Sequence, residues 1–434
     1  VDSFTLGILG TIAMVVLVFA GVRVFYAAAA VGMVGLVAMI GWEAGAGMAG
    51  TIPHSKSVTY TLSVLPMFIL IGFLAFHAGL TEALFDAARK WLGWVPGGLA
   101  VATVMAATGF AAVSGASTAT AAVFARVAVP DMLKAGYDKR LAAGVVAAGG
   151  TLATLIPPSA LLVIYAIIVE ESVGALLVAG FLPGLVSALI YVALIVGMAK
   201  FNPKLGGAIR GHTWRERWKT LPGTLPIIAV IFIIFSAMYF GWATPTEAGA
   251  LGAFVVFVLA LVHGMRWRGL RESLLETAKL TVMIFSIIWG VLMFVRFLGF
   301  AGLPDAFAKW VVALDLPPVI IIICILLFYT VLGMFMDAIG MLLLTLPVVY
   351  PAVVALGYDP IWFGIVVVKM AEICLITPPI GLNCFVVNGV RPDIPLSTVF
   401  RGILPFFIAD VVTVGVFIAF PEIILWLPKT MNMA

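Results

Sequence analysis

The chain has 434 residues, of which 64% are hydrophobic and only 10% charged, and its formal net charge is +4. Soluble domains are roughly 45–50% apolar and about 25% charged, so a soluble enzyme, a nucleic-acid binder and a disordered scaffold are excluded. Backbone groups in lipid need internal partners, which leaves helices or a closed barrel. Barrel strands alternate apolar and polar residues; FTLGILGTIAMVVLVFAG (4–21) does not, so the chain reads as an all-α polytopic membrane protein.

In chain order, the run 4–22 reads as a first span, since no small-residue cleavage site follows it. Runs at 24–45 and 62–85 are the next spans. The segment from about 99 to 130 has a small, hydroxyl-rich centre, Ser114-Gly115-Ala116-Ser117-Thr118. The span at about 140–168 is interrupted by Pro157-Pro158, where a helix needs amide donors. After the run 174–199, residues 201–221 form a polar linker containing TWRERWKT (213–220). Spans follow at 223–241 and 245–264, the latter opened by Pro245 and Glu247, good helix-start chemistry and read as structural. RWRGLRESLLETAK (266–279) has an amphipathic pattern and precedes the span 280–300. The segment 319–351 carries Gly333 and Asp337-Ala338 at its centre. The span at about 360–388 is broken by Pro378-Pro379, and 402–427 closes the chain.

The chain compares with itself at one offset. LKAGYDKR (133–140) recurs as VALGYDPI (354–361), and LIPPSA (155–160) as ITPPIG (376–381). Two units follow, residues 1–200 and 222–434. Lys and Arg cluster at Arg23, Arg89–Lys90, Lys134–Arg140, Lys200–Lys219, Arg266–Lys279 and Arg391–Arg401, against only Lys56, Lys309 and Lys429 at the other ends. Placing the basic clusters in the cytoplasm puts the N-terminus outside and gives five crossings per unit, so the second unit is inverted. Segments 99–130 and 319–351 then begin and end on one face and read as re-entrant helical hairpins, each beside a broken helix. Paired broken helices in inverted repeats point to a secondary transporter with a midplane site.

Ser114, Ser117 and Thr118 offer hydroxyl oxygens, and unwound carbonyls near Gly150, Thr154 and Pro157 complete a shell suited to a hard monovalent cation. Close helix packing by small residues is the competing account. In the second unit Gly333 and Asp337 face Thr377, Pro378 and Gly381 in the same arrangement. Asp337 is either a helix cap or a site-lining acid. Lys369 and Glu372 share a helical face; an internal ion pair is favoured over anion capture by Lys369. Arg126 and Arg296 read as anchors. The three cysteines lie in apolar runs and read as core residues. The four histidines are scattered, and no HExxH or Walker-type string occurs, so no catalytic site is expected.

AAVSGASTATAA (111–122), PDMLKAGYD (130–138), GTLATLIPPS (150–159), TPTEA (244–248), MDAIGMLLLTLPVVYP (336–351) and EICLITPPIGLN (372–383) together resemble the large membrane subunit of tripartite ATP-independent periplasmic (TRAP) transporters. The resemblance implies a bacterial inner-membrane symporter driven by Na+, importing organic anions such as C4-dicarboxylates, sugar acids or keto acids. It implies an elevator fold, a small four-helix membrane subunit and a soluble periplasmic substrate-binding protein. With no spare N-terminal spans, the small subunit is expected to be a separate chain. Carried over by motif, one sodium site involves Ser114 and Ser117 with Gly150, Thr154 and Pro157. A second involves Gly333, Asp337, Thr377, Pro378 and Gly381. Substrate is expected between the hairpin tips, against Gly115, Thr118, Ala338, Asn383 and Lys369. Ala116 stands where many relatives carry a second serine. A single-component sodium:carboxylate symporter of related fold is the alternative, with a channel or scaffold subunit behind it.

Overall fold

The computed structural model describes residues 2–209 and 211–431. Arg210, within the basic linker, lies outside the described residues, as does the side chain of Lys56. Among the described residues all regular structure is helical. The first half contains α1 (Ser3–Phe19), α2 (Val24–Ile40), α3 (Trp42–Ser57), α4 (Val64–His77), α5 (Leu80–Leu92), α6 (Gly98–Ser114), α7 (Ser117–Lys134), α8 (Lys139–Thr151), α9 (Ala160–Val169) and α10 (Val173–Phe201). The short α11 (Trp214–Trp218) lies in the linker. The second half contains α12 (Leu221–Tyr239), α13 (Pro245–Val262), α14 (Trp267–Ala301), α15 (Leu303–Val312), α16 (Pro318–Gly333), α17 (Ala338–Ala355), α18 (Pro360–Cys374), α19 (Leu382–Val390), α20 (Leu396–Ala419) and α21 (Glu422–Thr430). Among the described residues seven helices are long and apolar enough to cross a membrane, and five shorter ones are apolar as well.

Four boundaries differ from the hydropathy reading. The run 24–45 stops at Ile40, because Gly41 turns the chain into the separate α3. The run 62–85 is two helices: Gly79 has φ 72°, a left-handed conformation that suits glycine, and α5 starts there. Residues Trp267–Ala301 instead form one 35-residue helix. No proline interrupts it, and Arg268 pairs with Glu272 one turn on. The last run divides at Pro421, where α21 begins.

The two halves present corresponding helices. α7 and α17, and α8 and α18, begin at the same offset of 221 residues that separates Thr151 from Glu372. α6 and α7 form one helical hairpin with its tip at Gly115-Ala116, and α16 and α17 form the other. Each hairpin's second helix packs against the far half of the opposite unit's broken helix: α7 on α19 and α17 on α9. The units are therefore interleaved.

A separate layer is built from α1 to α4, α13 and α14, with α2 lying along α14. A Cβ at Gly32 would strike the Met293–Phe294 backbone, and one at Gly290 the Phe25 carbonyl. Small residues at this crossing let the two backbones approach, as in lipid, where packing rather than hydrophobicity joins helices. Around α7 and α8 the core is alanine-rich: Ala121, Ala125, Ala128, Ala142, Ala143, Ala147 and Ala148 are all buried. The breaks and hairpin tips are thereby held in a tightly packed body.

Candidate functional site

α6 ends at Ser114, and Gly115 follows with φ 58°. A Cβ there would run into the Pro158 carbonyl oxygen, so the hairpin tip sits directly on the break between α8 and α9. Thr120 donates to the Ala116 carbonyl at 2.9 Å, which leaves its oxygen to accept from Ser114, 3.0 Å away. Asn383 Nδ2 donates to Ser117 Oγ at 2.8 Å and to the Ala147 carbonyl at 3.1 Å, joining α19, α7 and α8. Its Oδ1 is buried without a hydrogen-bond partner among the described residues. Past Thr151 the chain tightens into a 3-10 turn (Leu152–Thr154), and the Pro157-Pro158 bond is cis. Ser159 then caps α9, accepting from the Leu162 amide and donating to the Thr154 carbonyl.

The second pair is built differently. Asp337 accepts from the Gly340 amide at 3.0 Å and so caps α17, while its side chain remains exposed. The capping reading of Asp337 thus holds, and its side chain is left exposed. Gly333 lies against Cys374, whose thiol points to the Tyr329 carbonyl. Thr377 donates to the Ile373 carbonyl of its own helix at 2.6 Å. Gly381 adopts φ 44° where α19 starts. Among the described residues no hydrogen bond joins this hairpin tip to Thr377, Pro378 or Gly381.

Both tips meet in one cleft of about 940 Å³. Its walls are Ser114 to Thr118 and Thr154 from the first unit and Phe335 to Ile339 from the second, with Leu375, Ile380 and Leu382. Arg23, in the α1–α2 turn, and Lys279, on α14, face it from the other layer. Of the residues singled out from sequence, Ser114, Gly115, Ser117, Thr118, Thr154, Asp337 and Ala338 line the cleft. Gly150, Pro157, Gly333, Thr377, Pro378 and Gly381 stand outside its wall.

Lys369 and Asn383 do not line the cleft, and both are fully buried. Lys369 Nζ lies 3.0 Å from Glu372 Oε1 and 2.7 Å from Asp410 Oδ1, with no side-chain exposure at any of the three. Tyr191 donates to Asp410 at 2.7 Å and Thr151 to Glu372 at 2.8 Å. An unpaired ammonium there would be very costly, so burial selects the internal ion pair over anion capture. The sequence reading missed Asp410, a lone acid inside an apolar run and a functional or structural flag by that fact alone. It also missed Arg23 and Lys279 as cleft residues, because only tertiary packing brings α1, α2 and α14 to the hairpin tips.

Ser114, Ser117, Thr118 and Thr154 bring neutral hydroxyl oxygens to the cleft, the donor type that a hard monovalent cation takes. Two cations against one capped carboxylate leave the cleft formally positive, which suits an anionic solute.

The family model described as "Tripartite ATP-independent periplasmic transporter, DctM component" matches residues 4–423. A C4-dicarboxylate TRAP transporter large permease protein of Pseudomonas aeruginosa is 37% identical over 377 residues, covering 86% of this chain and 88% of the relative. A sialic acid TRAP transporter large permease protein of Vibrio cholerae is 32% identical, covering 85% and 86%. The crystal structure of the Alcanivorax borkumensis YdaH transporter shares the fold, with a TM-score of 0.56 at 16% identity, covering 86% of this chain and 88% of that one. The chain thus belongs to the family of TRAP transporter large permease proteins, multi-pass membrane components of solute carriers.

Proposed function

We propose that the chain imports organic carboxylates across the bacterial inner membrane in symport with Na+, C4-dicarboxylates being the first class to test. The observation that carries this reading is the single cleft where both hairpin tips meet, oxygen-rich on one wall and bearing Arg23 and Lys279 on the other. Na+ binds at the first hairpin, between the Ser114, Ser117 and Thr154 oxygens and the unwound backbone. The carboxylate lies between the tips, drawn by Arg23 and Lys279. Each of these two residues belongs to a basic cluster that the charge rule places in the cytoplasm, so the cleft opens inward in this conformation. Transport then moves the interleaved hairpins and broken helices as one body past the layer of α1 to α4, α13 and α14. A soluble periplasmic protein delivers the substrate, and a small four-helix membrane subunit completes the carrier.

The test is uptake of labelled succinate in proteoliposomes holding this chain and its neighbouring small subunit. Uptake that requires both an inward sodium gradient and the genome-neighbouring binding protein is the expected result. Sodium-driven uptake without the binding protein transfers the chain to the single-component class. Equal uptake with choline in place of sodium refutes the coupling.

A further inference from the structure

Of the hydroxyls that touch the buried charge cluster, Thr154 alone also lines the cleft. A hydroxyl has one proton and two lone pairs. Thr154 Oγ1 faces two acceptors, the Thr151 carbonyl at 2.8 Å and Glu372 Oε2 at 3.3 Å. Neither Thr151 nor Glu372 lines the cleft. Thr151 Oγ1 is in the same position, between the Ala148 carbonyl at 2.7 Å and Glu372 Oε1 at 2.8 Å. Glu372 is thus clasped by both hydroxyls of the α8 end and by Lys369, which Asp410 holds from its other side.

We propose that Glu372 is a positioning residue for a monovalent cation bound at Thr154. Its carboxylate attracts the Thr154 hydroxyl proton inward, because hydrogen bonds to ionised acceptors are the stronger kind. The oxygen lone pairs then point into the cleft, where a cation takes them. The carboxylate also makes that oxygen a more basic ligand, as outer partners do around metal sites. Lys369 fixes the carboxylate and screens its charge. The placement has a further consequence. Thr151 and Glu372 are equivalent positions in the two units, 221 residues apart and in contact. One carboxylate therefore pins both broken helices where each begins to unwind.

This inference rests on the sodium reading above, and the experiment separates the two. Purified protein in detergent is melted across a titration of NaCl, with choline chloride as control. Wild type gains thermal stability with sodium at a defined half-saturation. Glu372→Gln raises that half-saturation by about tenfold or more, the range seen when an outer partner is lost. Thr154→Val does the same, Thr154→Ser restores the wild-type value, and the Glu372→Gln/Thr154→Val double variant is no worse than the worse single one. A wild-type half-saturation in Glu372→Gln, or additive losses in the double variant, overturns the proposal alone. No sodium response in wild type refutes the sodium reading and the proposal with it. Should Glu372→Gln not fold, Thr151→Val takes its place: it removes one clasp without touching the cleft, and an unchanged half-saturation there overturns the proposal.

Discussion

The two hairpin tips occupy corresponding places in the two halves, yet they are held by different forces. The first tip is closed by polar contacts: Ser114 and Ser117 are only 6% and 9% exposed, and Asn383 reaches across from the other unit to bond Ser117. The second touches its broken helix through the sulfur of Cys374, and its tip residue Phe335 is 48% exposed. Buried hydroxyls must find partners, so the first tip is fixed in register with α19 and, through Asn383, with α8. Dispersion contacts, individually small and undirected, impose no such register on the second. Repetition in sequence therefore reproduces the helices but not the chemistry at their ends. The first tip carries buried, hydrogen-bonded hydroxyls, whereas the second meets its neighbour through apolar and sulfur contacts.

The largest expected effect breaks the polar side of this contrast at its root. Lys369→Met leaves Glu372 and Asp410 buried with no counter-charge, and removal of one partner from a buried pair costs about 3–5 kcal/mol. The variant is expected to melt far below wild type or to fail to accumulate. Lys369→Met combined with Glu372→Gln and Asp410→Asn recovers most of that loss. A Lys369→Met protein with unchanged thermal stability shows that the cluster does not brace the body.

Next in size is a direct comparison of the two tips. Ser117→Ala removes the acceptor of Asn383 and a cleft oxygen, while Thr377→Ala removes a hydroxyl already bonded within its own helix. Leaving a buried donor unsatisfied costs about 1–3 kcal/mol. Ser117→Ala is expected to raise the sodium half-saturation of succinate uptake about tenfold, at roughly 1.4 kcal/mol per factor of ten, and Thr377→Ala by far less. Equal shifts in the two variants erase the distinction between the tips.

Asp337 offers a smaller and sharper test. Asp337→Ala loses the α17 cap, worth about 1 kcal/mol, whereas Asp337→Ser keeps an N-cap oxygen and discards the charge. Asp337→Ser is expected to melt like wild type. Slower uptake in Asp337→Ser at full stability then isolates the part played by the carboxylate in the cleft.

The prolines and glycines explain why so much of this fold was readable. Pro157-Pro158 and Pro378-Pro379 cannot sit inside a continuous helix, and Gly115 permits a tip no other residue fits as well. Those are local constraints, visible in the chain itself. Helix ends inside apolar text were not: Gly41 and Gly79 are small residues in hydrophobic runs, and hydropathy passes over them. Lys369 and Glu372, three residues apart, were found as a pair because a helix brings such positions together. Their third partner, Asp410, comes from another helix and is joined only by folding, as are Arg23 and Lys279 with the hairpin tips.

The smallest effect lies in the linker, where neither tip is involved, and so serves as the control. Thr213 and Glu216 cap α11 reciprocally, Glu216 Oε2 accepting from the Thr213 amide at 2.9 Å and Thr213 Oγ1 from the Glu216 amide at 3.3 Å. The bond from the Thr213 backbone holds the Glu216 carboxyl below its ordinary range. A carboxyl with a lowered folded pKa contributes stability above its unfolded pKa and loses it as pH falls through the folded one. Acidification below the carboxylate range is therefore expected to loosen α11. The Trp91, Trp214 and Trp218 rings, which meet edge to face, supply the signal. Tryptophan fluorescence should change with acid in wild type and be already shifted, and indifferent to acid, in Glu216→Gln. The sodium half-saturation of Glu216→Gln should equal that of wild type. A change in it would mean that the linker is coupled to the first hairpin and that the polar lock there extends beyond the cleft.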